Sequence, residues 1–140
     1  MFGQSMGLII DTSALVAWER SQANNLKNAS LGSELIYMPA IVWAEALIGV
    51  RLAATPVKAA QRRARLELIR SMVAIKPFTP EYAEHYADIY AELRSAGTPI
   101  PQNDMMVAAT ARAMNMRVLV SAKDEHHFRL VNGLGVEVFS

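Results

Sequence analysis

Short apolar runs alternate with long amphipathic stretches along this chain. Leu8-Ile9-Ile10, Leu35-Ile36-Tyr37-Met38, Val118-Leu119-Val120 and Val136 to Phe139 are each three or four residues long. Runs of that length, bounded by polar or turn residues, predict strands of a buried parallel sheet. Val73 to Ile75 reads as a further short strand or an extended link. Between the runs, apolar positions recur at helical spacing. They predict helices over Thr12 to about Trp18, Gln22 to Leu31, Pro39 to Leu52, Thr55 to about Ser71, Thr79 to Gly97, and Asn103 to Met114-Asn115. Ser21 is the expected N-cap of the second helix and Gly32 its stop. Thr55-Pro56 and Thr79-Pro80 each pair a capping hydroxyl with a proline at the first helical position. Strands separated by helices imply parallel pairing through right-handed crossovers, an α/β fold.

Two helices carry more specific expectations. PAIVWAEALIGVRL is apolar almost all round, which predicts burial on every side. Glu45 stands in its middle, where a carboxylate caps nothing. At depth it requires an arginine, a proton or a cation as compensation. In the helix after Thr79, Tyr82, Tyr86, Ile89, Tyr90 and Leu93 form a stripe that reads as core or dimer surface.

Composition changes this picture little. The 140 residues, 52% of them hydrophobic, fit one compact domain spanning the chain. No apolar run approaches the ~20 residues of a membrane span. Asp11 interrupts the first apolar stretch and no basic segment precedes it, so the start is not a signal peptide. Met1 to Ser5 read as a loose leader, with Met6 as an alternative start. The absence of cysteine removes disulfides, zinc–thiolate sites and thiol nucleophiles, and fits a cytoplasmic protein. The net charge of +1 says nothing about nucleic acid. Its distribution says more: Arg51, Lys58, Arg62, Arg63, Arg65 and Arg70 face only Glu67 across that stretch. This is either a solvated helix face or a phosphate-tracking surface.

The candidate chemistry lies in four acids. Asp11 and Asp124 follow apolar strands, so both belong at the C-terminal edge of one sheet, where α/β folds bind ligands. Asp104 opens a helix leading into the strand before Asp124. Taken singly, Asp11 and Asp104 can each be helix caps and Asp124 a loop acid. Taken with Glu45, they form a cluster of like charges that repel at low dielectric. A hard divalent cation with oxygen ligands, Mg²⁺ or Mn²⁺, is the common remedy. His126 and His127 are adjacent, so their rings should point about 100° apart on a helix and not chelate one ion. A carboxylate-held ion suits hydrolysis of a phosphodiester by activated water. An aspartyl-phosphate route through Asp11 is disfavoured by Ser13, which stands where haloacid-dehalogenase-type phosphatases carry a second aspartate.

IIDTSAL with Asp11, WAEALIG with Glu45, PQNDMMVAATA with Asp104 and LVSAKDEHHF with Asp124 resemble the motifs of PIN-domain nucleases. Their order, spacing and length are similar to the VapC-type toxins of bacterial toxin–antitoxin pairs, from Met6 to Phe139. The resemblance implies a three-layer α/β/α sandwich with a central parallel sheet. It implies an Mg²⁺- or Mn²⁺-dependent endoribonuclease, with Asp11, Glu45 and Asp104 as the main acidic cluster and Asp124 at a more variable fourth position. Ser13 would hydrogen-bond a carboxylate or a metal-bound water, with Ser121 and Asn103 in the same supporting role. A homodimer and a small VapB-type antitoxin are the implied partners. RNA contacts would come from Arg51, Lys58, Arg62, Arg63 and Arg65. Two other readings compete: a catalytically inactive module that binds RNA or a protein partner, and a metal-dependent DNA nuclease.

Overall fold

The computed structural model describes residues 7–23 and 35–139. The expected leader, its alternative start at Met6 and most of the expected helix from Gln22 to Leu31 lie outside those residues. Five short strands, β1 (Leu8–Ile10), β2 (Ile36–Pro39), β3 (Ala74–Lys76), β4 (Arg117–Val120) and β5 (Val136–Val138), form one sheet in the order β3-β2-β1-β4-β5. Every pairing is parallel. Leu8, Ile9, Ile10, Met38, Val118, Leu119 and Val120 are buried, as strands covered on both faces should be.

The chain winds outward from β1 to β3, then crosses back to β4 and on to β5. Helices α1 (Thr12–Ala23), α2 (Ala40–Arg51) and α3 (Pro56–Arg70) pack on one another. Helices α4 (Pro80–Ala96), α5 (Gln102–Met114) and α6 (Glu125–Arg129) form a second group, α5 touching both α4 and α6. The reversal of winding direction falls between β1 and β4, which makes their C-terminal ends the topological switch point.

The local signals act as the sequence predicts. Thr55 and Thr79 accept hydrogen bonds from the N–H groups of Lys58 and Tyr82, each three residues on. Gly97 ends α4 at φ 71°, a left-handed conformation that costs glycine little. In α4, Tyr82, Ile89 and Leu93 enter the core while Tyr90 faces solvent.

Three expectations need correction. The first helix does not stop near Trp18. It continues to Ala23, because Trp18 and Glu19 keep its buried stripe going. Ser21 therefore sits inside α1, its hydroxyl bonded back to the Trp18 carbonyl at 2.8 Å, and caps nothing.

Nor is α2 buried all round. Val42, Ala46 and Val50 form its inner stripe, whereas Ile48 is 56% exposed. The arginines of α3, finally, do not all point outward. Arg62 Nε and an Arg65 terminal nitrogen each lie 3.1 Å from a different oxygen of Glu19, which is buried on α1. Helical spacing puts these arginines near Leu66 and Ile69, the residues α3 buries. Gly49 makes room for Arg62 on α2: a Cβ there would overlap the Arg62 guanidinium.

Candidate active site

Asp11 leaves β1 at the switch point, and its N–H donates to the Leu119 carbonyl of β4. The carboxylate is almost fully buried. Oδ1 accepts the Ala14 N–H at 2.8 Å, so Asp11 does cap α1. The Ser13 hydroxyl lies 2.9 Å from both Asp11 oxygens. The same Ser13 oxygen accepts the Ser121 N–H at 3.0 Å, tying the end of β1 to the end of β4. Ser13 thus donates to the Asp11 carboxylate and links it to β4. Ser121 contributes its backbone N–H to this link, while its residue lines the cleft above.

Burial pushes the Asp11 carboxyl up to about 7. The Ala14 N–H and the Ser13 hydroxyl oppose that rise, and the charges of Asp104 and Asp124 add to it. Asp104, in the first turn of α5, is also raised above the ordinary carboxylate range, first by burial. His127 pulls it back, while Asp124 and Glu45 push it further up.

Glu45 is half-buried rather than deep, and its partner is a hydroxyl. Thr12 donates to Glu45 Oε1 at 2.6 Å, joining the first residue of α1 to the middle of α2. Among the described residues no arginine clasps it. Asp124 occupies the N-cap position of α6 but makes no side-chain capping bond. It faces a cleft of about 400 Å³ together with Glu45, Asp104, Thr12 and Ser13. Asp11 does not line this cleft, but lies close enough to feel the charges of Asp104 and Asp124. Asn103 precedes Asp104 on α5, off the lining of the cleft, and its side chain makes no hydrogen bond among the described residues.

The four acids therefore gather around one cleft from four separate places in the chain. Among the described residues, no three acid or histidine side chains are drawn together tightly enough to hold one ion directly. The donors are nevertheless all oxygens, and the raised carboxyls of Asp11 and Asp104 mark negative charge still in need of compensation. Such a set suits a hard cation that keeps several of its waters.

Two supporting residues escape the sequence reading. Thr12 is one. The other is His127, whose Nδ1 lies 2.7 Å from Asp104 Oδ2. The two histidine rings do not diverge as expected: they lie against each other, centroids 4.1 Å apart. Of the two, His127 is the one that reaches an acid among the described residues. The available signal was the three-residue step from Asp124, which places His127 on the same face of α6. Arg20 and Lys123 also line the cleft.

The basic stretch divides. Arg62 and Arg65 are engaged with Glu19, and Arg63 pairs with Glu67 at 2.9 Å. Arg63 and Arg70 both stand over the Trp43 ring. Arg51 and Lys58 are exposed. None of these residues lines the acidic cleft.

Residues 8–134 match the model of the PIN domain. The chain is 35% identical over 132 residues to Ribonuclease VapC1 of Rickettsia felis, covering 94% of this chain and 95% of that one. It is 33% identical over 120 residues to Ribonuclease VapC of Rickettsia bellii, covering 85% and 88%. Among solved structures, VapBC2 from Rickettsia felis bound to a promoter DNA fragment superposes with a TM-score of 0.81 at 25% identity, over 96% of this chain and 100% of that one. VapBC-5 from Mycobacterium tuberculosis, of the VapBC family of toxin–antitoxin systems, gives 0.74 at 25% identity, over 96% and 98%. With its sheet order, its acid-lined cleft and these relatives, the chain belongs to the PIN-domain family, in its VapC group.

Proposed function

We propose that this protein is an endoribonuclease dependent on Mg²⁺ or Mn²⁺, the toxin of a VapBC-type pair. The observation that carries the reading is the convergence of Glu45, Asp104 and Asp124 on one cleft, with the buried Asp11 carboxyl close enough to feel the charges of Asp104 and Asp124 and pushed up to about 7. Those four residues would hold the ion. When bound, it supplies an activated water and neutralises charge on the phosphoryl oxygen. Ser13 holds the Asp11 carboxylate in place, Thr12 fixes Glu45, and His127 fixes one oxygen of Asp104. The curated relatives are named ribonucleases, which favours RNA over DNA as substrate.

The test incubates purified protein with RNA and with DNA, in Mg²⁺, in Mn²⁺ and in EDTA. RNA cleavage that stops in EDTA is expected. Asp104→Asn should lower the rate by about 100-fold or more, since it weakens the hold on the ion at its centre. Cleavage that survives chelation, or is unchanged in Asp104→Asn, would remove the proposal. RNA binding without any cutting would favour the inactive module, and preferential cutting of DNA the DNA nuclease.

A second expectation concerns His127. Without its bond, Asp104 loses the group that fixes its orientation. His127→Ala should weaken Mn²⁺ binding about 10- to 100-fold by calorimetry, with partial recovery in His127→Asn. Equal affinity in all three proteins would show that Asp104 needs no such support.

The partners follow from the same reading. Solved neighbours contain VapBC complexes, and this chain exposes Ile48, Leu52 and Val57 around the α2–α3 junction. A VapB-type antitoxin and a homodimer would cover such apolar surface. Light scattering of the chain alone and with a candidate antitoxin separates the two assemblies. No helix among the described residues is long and apolar enough to cross a membrane.

A further inference from the structure

Helix α1 presents two different faces. Ala14, Leu15, Trp18 and Glu19 are buried. Thr12, Ser13, Val16, Ala17 and Arg20 line the acidic cleft instead, at the spacing of one helical stripe. Along that stripe the chemistry changes in order: hydroxyls at the acid end, two small apolar residues, then a guanidinium. At 1.5 Å per residue, Arg20 stands about 10 Å along the helix from Ser13. Lys123, next to Asp124 in the β4–α6 turn, lines the same cleft. Both cations are exposed, and among the described residues neither forms an ion pair. Three arginines of α3 differ in this respect, since Arg62, Arg63 and Arg65 have carboxylate partners; the fourth, Arg70, stands over the Trp43 ring.

Resting on the nuclease reading above, we propose that Arg20 and Lys123 are the phosphate-binding residues of the substrate track, holding the RNA backbone beside the bond to be cut. A polyanion approaching Glu45, Asp104 and Asp124 meets repulsion that cations at the rim must offset. Cations already paired to protein carboxylates offset it poorly, whereas Arg20 and Lys123 keep their full charge for a phosphate. Val16 and Ala17 leave the space between hydroxyls and guanidinium clear of bulky groups. The contact is to phosphate, so it carries affinity and placement rather than base specificity.

The experiment uses the full chain carrying Asp104→Asn, so that RNA is bound but not cut. Fluorescence anisotropy gives Kd for a labelled single-stranded RNA at several NaCl concentrations. Arg20→Ala and Lys123→Ala should each weaken binding about tenfold and lower the salt slope by about 0.7 per lost cation. Arg20→Lys should restore the slope. Arg94→Ala, which removes a charge away from the cleft, should change neither. Unchanged Kd and slope in both alanine variants would overturn the proposal. So would a loss of affinity for labelled poly-glutamate in these variants with RNA binding intact, which would identify an acidic protein as the occupant. The two readings fail separately. Wild-type protein that binds RNA through these cations but cuts nothing contradicts the nuclease alone. Wild-type protein that cuts RNA, with KM unchanged by either alanine variant, contradicts the track alone.

Discussion

Glu19→Ala is expected to destabilise the protein by about 2–4 kcal/mol, a fall in Tm of roughly 10 °C, without touching any residue of the cleft. The wild-type carboxylate is almost wholly enclosed, and each oxygen takes one arginine nitrogen at 3.1 Å. Removing it leaves two guanidinium groups side by side, and Arg65 Nε is already buried without an acceptor. Arg62 and Arg65 keep 26% and 34% side-chain exposure, so water relieves part of the penalty; a fully enclosed pair would lose about 3–5 kcal/mol. Gly49→Ala should cost less, because its methyl group displaces only the flexible end of Arg62 and leaves the Arg65 contact with Glu19 in place. If orphaned charge is the cause, combining Glu19→Leu with Arg62→Leu and Arg65→Met should recover most of the loss. Thermal unfolding of the four proteins checks this. A Glu19→Ala Tm within about 2 °C of wild type would mean the cluster is solvated and contributes no more than a surface pair.

The frame was legible because its signals are local. Three-residue strands of Leu, Ile and Val, threonine–proline helix starts and Gly97 each act within one turn of chain. What the sequence hid depends on partners far away. Nothing near Arg62 or Arg65 names Glu19, more than 40 residues earlier, so the five cations of α3, with Arg51 before them, read as a solvated face or a phosphate-tracking surface. Nothing near Trp18 shows that Glu19 will be buried, so the continuation of α1 past Trp18 is not legible locally. The all-apolar look of α2 overstated its burial, because composition cannot say which face finds a neighbour.

The acids divide in the same way. Asp11 and Asp124 follow strands and Asp104 opens a helix, so topology alone brings them to one edge. Glu45 was conspicuous as a lone charge among apolar residues. Its partner was not, since the Thr12 hydroxyl lies 33 residues away. The Asp104–His127 bond spans 23 residues and the Ser13–Ser121 bond 108. The groups that bear charge were visible from their position in the pattern. The groups that hold them still were not, because a serine or histidine acquires that role only from the fold.

The buried Asp11 makes stability itself a probe of the cleft. Folded, its carboxyl keeps a proton to about pH 7; unfolded, it releases it near the ordinary 3.8. Between those values the folded chain binds the extra proton, so stability must fall as pH rises through the window. The contribution is at its most favourable below 3.8 and is fully lost above about 7. A displacement of that size corresponds to about 4 kcal/mol at roughly 1.4 kcal/mol per tenfold change. Asp104 is raised as well and acts in the same direction. In EDTA, wild-type Tm should therefore drop between pH 4 and pH 8 by roughly 10 °C more than that of Asp11→Asn, which cannot titrate there. Above pH 7 the variant should be the more stable protein. Adding Mg²⁺ at pH 8 should raise the wild-type Tm more than that of Asp11→Asn, because the variant presents one carboxylate fewer for a cation to relieve. Parallel pH curves for the two proteins would mean that Asp11 ionises freely in the fold and contributes no unmet charge for an ion to answer.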